Sequence, residues 1–174
     1  MKPGSRTGQM LAMKPYASSL AAILWLGVSW TGRAEQPKNL ASSIITEGVA
    51  ERVLNTEVEA DVANAQSDFD NAKTLISHCA YRGKDSRTNA AHVDVLLRQS
   101  ESADIAKEQF DGAKAVYRGK DVAGIGDAAF RTTLPAQLHI LKGRVWVIVT
   151  AGTFKADPAL EEEVAQIVLK RLPG

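Results

Sequence analysis

From residue 42 onward the spacing of apolar side chains changes period several times, and each change predicts an element. In Ser42–Leu54, Ile45, Val49, Val53 and Leu54 recur at helical spacing, so the first helix is expected there, with Ser42 or Ser43 as its cap. The acidic stretch Asn55–Asn71 keeps no period and reads as a long loop with room for a short strand at Val58–Val62. Thr74–Tyr81 and Ala91–Gln99 follow, separated by a turn rich in Gly, Asp, Ser and Asn, and predict a β-hairpin. In its second arm Val93, Val95 and Leu97 alternate with His92, Asp94, Leu96 and Arg98, the mark of a sheet with one buried face. By the same alternation Cys79 and Tyr81 share one face of the first arm and His78 takes the other.

Ser102–Val116 returns to the helical period, with Ile105, Ala106, Phe110 and Ala113 on one side. Three strand-like runs come next, Ala128–Thr133, Gln137–Leu141 and Val145–Thr150, the last two joined through Lys142-Gly143-Arg144. Asp157 followed by Pro158 then opens a helix over Pro158–Leu172, with Leu160, Val164, Ile167, Val168 and Leu172 as its stripe. Hairpins without helical crossovers predict an α+β domain: an antiparallel sheet of about five strands packed with three helices.

The N-terminal pattern differs. Tyr16–Trp30 carries no charge, follows Lys14 and precedes Thr31-Gly32-Arg33-Ala34, so residues 1–34 read as a secretory signal peptide cleaved after Ala34. This leaves a flexible segment at 35–41 and a single domain at 42–174, secreted or periplasmic, with no membrane span after cleavage. With no Cys behind the apolar run, no lipid-anchored cysteine is expected.

Composition adjusts this picture in two ways. The whole chain is formally +1, but four of its 21 basic residues and none of its 20 acidic residues lie in 1–34, so the exported part is net negative. Such a balance gives no electrostatic reason to expect a nucleic acid as partner. Cys79 is the single cysteine, which excludes an internal disulfide and leaves a buried small hydrophobe or an intermolecular thiol.

Several segments together resemble exported bacterial envelope proteins related to actinobacterial lipoproteins with a PsbP-like α/β/α fold. They are Cys79-Ala80-Tyr81 before the alternating strand, the helix carrying Ala106 and Phe110, and Val122-Ala123-Gly124-Ile125-Gly126-Asp127-Ala128-Ala129-Phe130. Leu138-His139-Ile140-Leu141-Lys142-Gly143 and the terminal Val168-Leu169-Lys170-Arg171-Leu172 complete the pattern over roughly residues 40–172. The resemblance implies an α/β/α sandwich and an accessory or binding role without catalytic residues. The earlier cysteine that such proteins carry near the first helix is absent, since Ala41-Ser42-Ser43 stands there.

Candidate chemistry is sparse. Gly124-x-Gly126 precedes a strand rather than a helix, so it reads as a turn, with Asp127 bonding nearby backbone, and not as a phosphate cradle. His78, His92 and Asp94 crowd one hairpin, where cross-strand pairing brings His78 toward His92 or Asp94. Without a close-spaced ligand pair they predict partner contact rather than a metal site, and no cofactor is expected. His139 reads as a half-exposed strand residue and Glu161-Glu162-Glu163 as acids favoured at a helix N-terminus.

Tyr-Arg-Gly-Lys-Asp occurs twice, at Tyr81–Asp85 and Tyr117–Asp121, so Arg82, Lys84, Arg118 and Lys120 are candidates for an anion-contacting rim. The expectation is an envelope binding or accessory protein without enzymatic activity, engaging an envelope protein or small ligand. The alternative is a small periplasmic hydrolase using a hairpin histidine as base.

Overall fold

The first amphipathic run does not fold as one helix. In the computed structural model, which describes residues 39–61, 69–70, 74–85, 87–88 and 90–173, it divides into α1 (Leu40–Ile44) and α2 (Glu47–Leu54). Ile44, Ile45 and Thr46 are all β-branched, a weak stretch for a helix. Their neighbours decide the matter. A continuous helix would use the carbonyls of Ile44 and Ile45 internally; instead Arg171 Nη1 donates to Ile44 at 2.7 Å and Tyr81 Oη donates to Ile45 at 2.9 Å. Asn39, rather than either serine, caps α1 by accepting from Ser42 N at 3.0 Å.

The sheet contains β1 (Val58–Ala60), β2 (Phe69–Asp70), β3 (Thr74–Gly83), β4 (His92–Ser100), β5 (Lys120–Asp121), β6 (Ala128–Thr133), β7 (Ala136–Lys142) and β8 (Val145–Gly152). Its order is β1-β3-β4-β8-β7-β6-β5, antiparallel throughout, with β2 also pairing along β3. The five long strands are those expected from the sequence. The strands beyond them are two or three residues long and cover the outer edges of β3 and β6, which blunts both edges of the sheet.

α3 (Ala103–Tyr117) is capped by Ser102, which accepts from Ile105 N at 3.2 Å, and α4 (Pro158–Arg171) by Asp157, which accepts from Ala159 N at 2.9 Å. The strand alternation sorts the core into two layers. Val95, Leu97, Leu138, Ile140, Val147 and Val149 face α1, α2 and α4 in the larger one. Phe130, Leu141 and Trp146 face Ala106 and Phe110 of α3 in the smaller, where Phe110 meets Phe130 edge-on at 4.7 Å between ring centres. Four helices around an antiparallel sheet therefore make an α+β architecture with helices on both faces.

The Gly124–Asp127 turn is structural. Gly124 and Gly126 have φ of 80° and 63°, and a Cβ on Gly126 would lie 2.5 Å from the Leu141 carbonyl oxygen. Asp127 accepts from Gly143 N and Lys142 Nζ, both at 2.7 Å, tying this turn to the β7–β8 hairpin and holding its carboxyl below the usual range. The signal-peptide reading falls on residues 1–34, which lie outside the described residues, as does most of the 35–41 segment.

Candidate functional site

Antiparallel register brings two of the sequence candidates together on the β3–β4 hairpin. Ala80 lies opposite Asp94 and His78 opposite Leu96, so His78 and Asp94 are diagonal neighbours on the α3 side of the sheet. His78 Nε2 and Asp94 Oδ1 are 2.8 Å apart. The side chains are 12% and 39% exposed, so the histidine is enclosed and the carboxylate faces outward. Asp94 in turn stands opposite Thr150 on β8.

His92 does not join them. Its Nδ1 lies 3.1 Å from the Ala90 carbonyl in its own hairpin, and it sits opposite Arg82 in register. A shallow depression of about 210 Å³ runs beside these residues, lined by Asp61, Ala80, Tyr81, Arg82, His92, Val93 and Asp94. α3 packs on β4, β8 and β7 and reaches the start of β3, where Gln109 Nε2 donates to Thr74 Oγ1 at 3.1 Å. An imidazole fixed through Nε2 by a carboxylate is an oriented group that can accept a partner's hydrogen bond or move a proton.

Cys79 points the other way and is 3% exposed, packed into the larger core layer. Burial, with Asp94 adding to it, pushes the thiol up to about 12. The structure thus gives Cys79 the place of a small buried hydrophobe, and an intermolecular disulfide would require the sheet to open. Ser77, on the same side, is also committed: its hydroxyl donates to Asn39 Oδ1 at 2.7 Å and accepts from Ala41 N at 2.8 Å.

The two Tyr-Arg-Gly-Lys-Asp segments occupy different local structures. The first ends β3 and the second joins α3 to β5, five strand positions across the sheet, or about 24 Å at ~4.8 Å per strand. Arg82 pairs with Asp61, and Lys84 lies 3.7 Å from Glu57. Arg118 closes α3 with φ of 51°, and Lys120 lies opposite Arg131 on β6. The four cations therefore do not form one continuous rim. Both glycines have packing reasons, since a Cβ would collide with the Thr88 carbonyl at Gly83 and with the Phe130 ring at Gly119.

Two polar groups have roles that sequence reasoning missed. His139 is fully buried, not half-exposed: it stacks on Phe130 at 4.4 Å and accepts from Trp146 Nε1 at Nδ1 over 3.3 Å. Burial pushes this imidazole down to about 4. Glu161 is buried beneath Arg131, whose Nε donates to Oε2 at 3.1 Å, while Arg131 Nη2 reaches Glu162 at 3.3 Å. Burial raises the Glu161 carboxyl and Arg131 partly offsets it. The signal for His139 lay in alternation, which sets it on the same face as Leu141; that for Glu161 lay in helical spacing, which sets it on the buried stripe with Val164 and Val168.

Among the described residues no cluster of three or more His, Cys, Asp or Glu side chains is arranged to hold a metal, and no helix is long and apolar enough to cross a membrane. No family model, curated protein or solved structure matches the chain.

Proposed function

We propose that the chain is an exported envelope protein, secreted or periplasmic, that binds a partner as an accessory domain of PsbP-like α/β/α type and does not catalyse a reaction. The observation that carries this reading is the His78–Asp94 pair of the β3–β4 hairpin, where Asp94 faces outward over the enclosed His78 beside the depression. A fixed donor–acceptor pair at the edge of a half-apolar sheet face, with Leu96 between the two strands' polar positions, suits recognition of a polar group on a protein or small ligand. The net negative charge of the exported part disfavours polyanions as that partner.

The His78–Asp94 pair also supports a second reading, a small hydrolase whose base is His78 rather than His92. Co-purification of the tagged chain from its own envelope extract, with Asp94→Asn and Cys79→Ser versions beside it, tests the first reading. A stoichiometric companion lost with Asp94→Asn and kept with Cys79→Ser supports it. Turnover of ester or amide substrates by the purified chain, abolished by His78→Ala with folding intact, would replace it with the second.

A further inference from the structure

Of the two long helices, α3 is the more lightly held. Ala106 and Phe110 are its buried residues, and they join Phe130, Leu141 and Trp146 in the smaller core layer. α4 by contrast buries Glu161, Val164, Ala165 and Val168, and it is tied to Arg131 through Glu161 and to the Ile44 carbonyl through Arg171. The side-chain links from α3 to the strands are the Gln109–Thr74 bond at 3.1 Å and the exposed Lys114–Asp121 pair. β4, β8, β7 and β6 pair with one another without α3, and the larger core layer lies across the sheet from it. Lifting α3 therefore leaves the ladder and the larger layer in place, the arrangement that allows one element to open below the global unfolding energy.

The group beneath the C-terminal end of this helix is His139. From β6 it meets Phe130, from β8 Trp146 and Ile148, and from α3 Tyr117 at 6.3 Å between ring centres. Against Trp146 rests the Arg98 guanidinium of β4, 4.9 Å from the indole ring centre. None of these groups is a carboxylate. With Nδ1 accepting from Trp146, the proton of the neutral ring sits on Nε2, a buried atom with no hydrogen-bond partner among the described residues. A second proton would set an Nδ1–H against the indole N–H. The imidazolium would then hold two buried donors without an acceptor, near a cation already resting on the same indole.

We infer that α3 is an acid-released cover: protonation of His139 frees this helix from the sheet and exposes the Phe130–Trp146 layer while the rest of the domain stays folded. Once the helix lifts, water solvates both ring nitrogens, so the open form binds the proton better than the closed form, and that difference shifts the equilibrium. The enclosed ring stays neutral down to about 4 and an exposed one to about 6.5, so opening should rise about twentyfold from pH 7 to pH 5. The device does not rest on the partner proposed at the His78–Asp94 pair.

Hydrogen exchange of the full chain at pH 7 and pH 5, corrected for intrinsic rates and repeated over a series of low urea concentrations, tests it. The amides of α3 should open about twentyfold more at pH 5 than at pH 7. At either pH they should open at least about tenfold more than those of α4 and with a weaker dependence on urea, because less surface is exposed. In His139→Phe the rise between the two pH values should vanish from α3. Equal protection and equal urea dependence in the two helices would mean that α3 leaves only with the whole domain, and would overturn the proposal. An α3 opening that does not change with pH in the wild-type chain would overturn it as well, whether or not the variant folds.

Discussion

The indole of Trp146 donates to Nδ1 of His139 across 3.3 Å, inside a layer where Phe130 covers the imidazole face. That bond needs Nδ1 unprotonated, and burial keeps the ring neutral down to about 4. The unfolded chain takes up a proton near the ordinary histidine value of about 6.5, so it binds more protons than the folded chain between these limits. Stability supplied by the neutral buried ring is complete above about pH 6.5 and is lost as pH falls toward 4.

The first prediction is a pH-dependent stability. Denaturant titrations from pH 7 to pH 4.5 should show a loss on the order of 2 kcal/mol attributable to His139. In His139→Phe that part of the slope should disappear, whatever the absolute cost of repacking. An unchanged slope in the variant would contradict the burial argument.

A second prediction concerns Arg131. Removing the guanidinium strands the buried Glu161 carboxylate, so Arg131→Met should cost about 2–4 kcal/mol in a urea melt at pH 7. Combining it with Glu161→Leu should recover most of the loss, because the uncompensated charge is gone. Additive losses in the double variant would show that the two side chains are not coupled.

The third prediction follows from the split first helix. Tyr81→Phe removes the hydroxyl that satisfies the buried Ile45 carbonyl and should cost about 1–3 kcal/mol in chemical denaturation. A variant as stable as the wild type would mean that the Tyr81 bond does not hold the break, leaving it to the Arg171 bond and the β-branched run.

Much of this architecture was legible in the sequence, and the exceptions share a physical cause. Val93, Val95 and Leu97 announced their buried face because a strand's period is short and local, and Asp157-Pro158 announced α4 because capping acts within one turn. The break after Ile44 was not legible, since its carbonyl is claimed by Arg171, 127 positions away. β1 falls within the short strand expected at Val58–Val62, whereas β2 and β5 are two residues long, too short to show a period, and their pairing depends on an edge that other strands create. At the site, alternation foretold the opposite faces of His78 and Cys79, while only the register selected Asp94 over His92 as the neighbour of His78.

Cys79 yields a fourth prediction. A thiol pushed up to about 12 and enclosed by the core should react with a thiol-directed reagent at pH 8 only as fast as the domain opens. Labelling in native buffer should be slower than in denaturant by at least about a hundredfold. Equal rates would return the intermolecular thiol to consideration.

We propose that the β3–β4 hairpin, with His78 and Asp94, is a recognition surface. The most direct measurement is quantitative co-purification from the native envelope extract, comparing the wild-type chain with Asp94→Asn and His78→Ala versions of equal thermal stability. The account predicts a stoichiometric companion on the wild type, reduced at least about tenfold by either substitution, in keeping with the loss of one charge-assisted hydrogen bond. Equal retention by all three chains, or no companion on any of them, would contradict it.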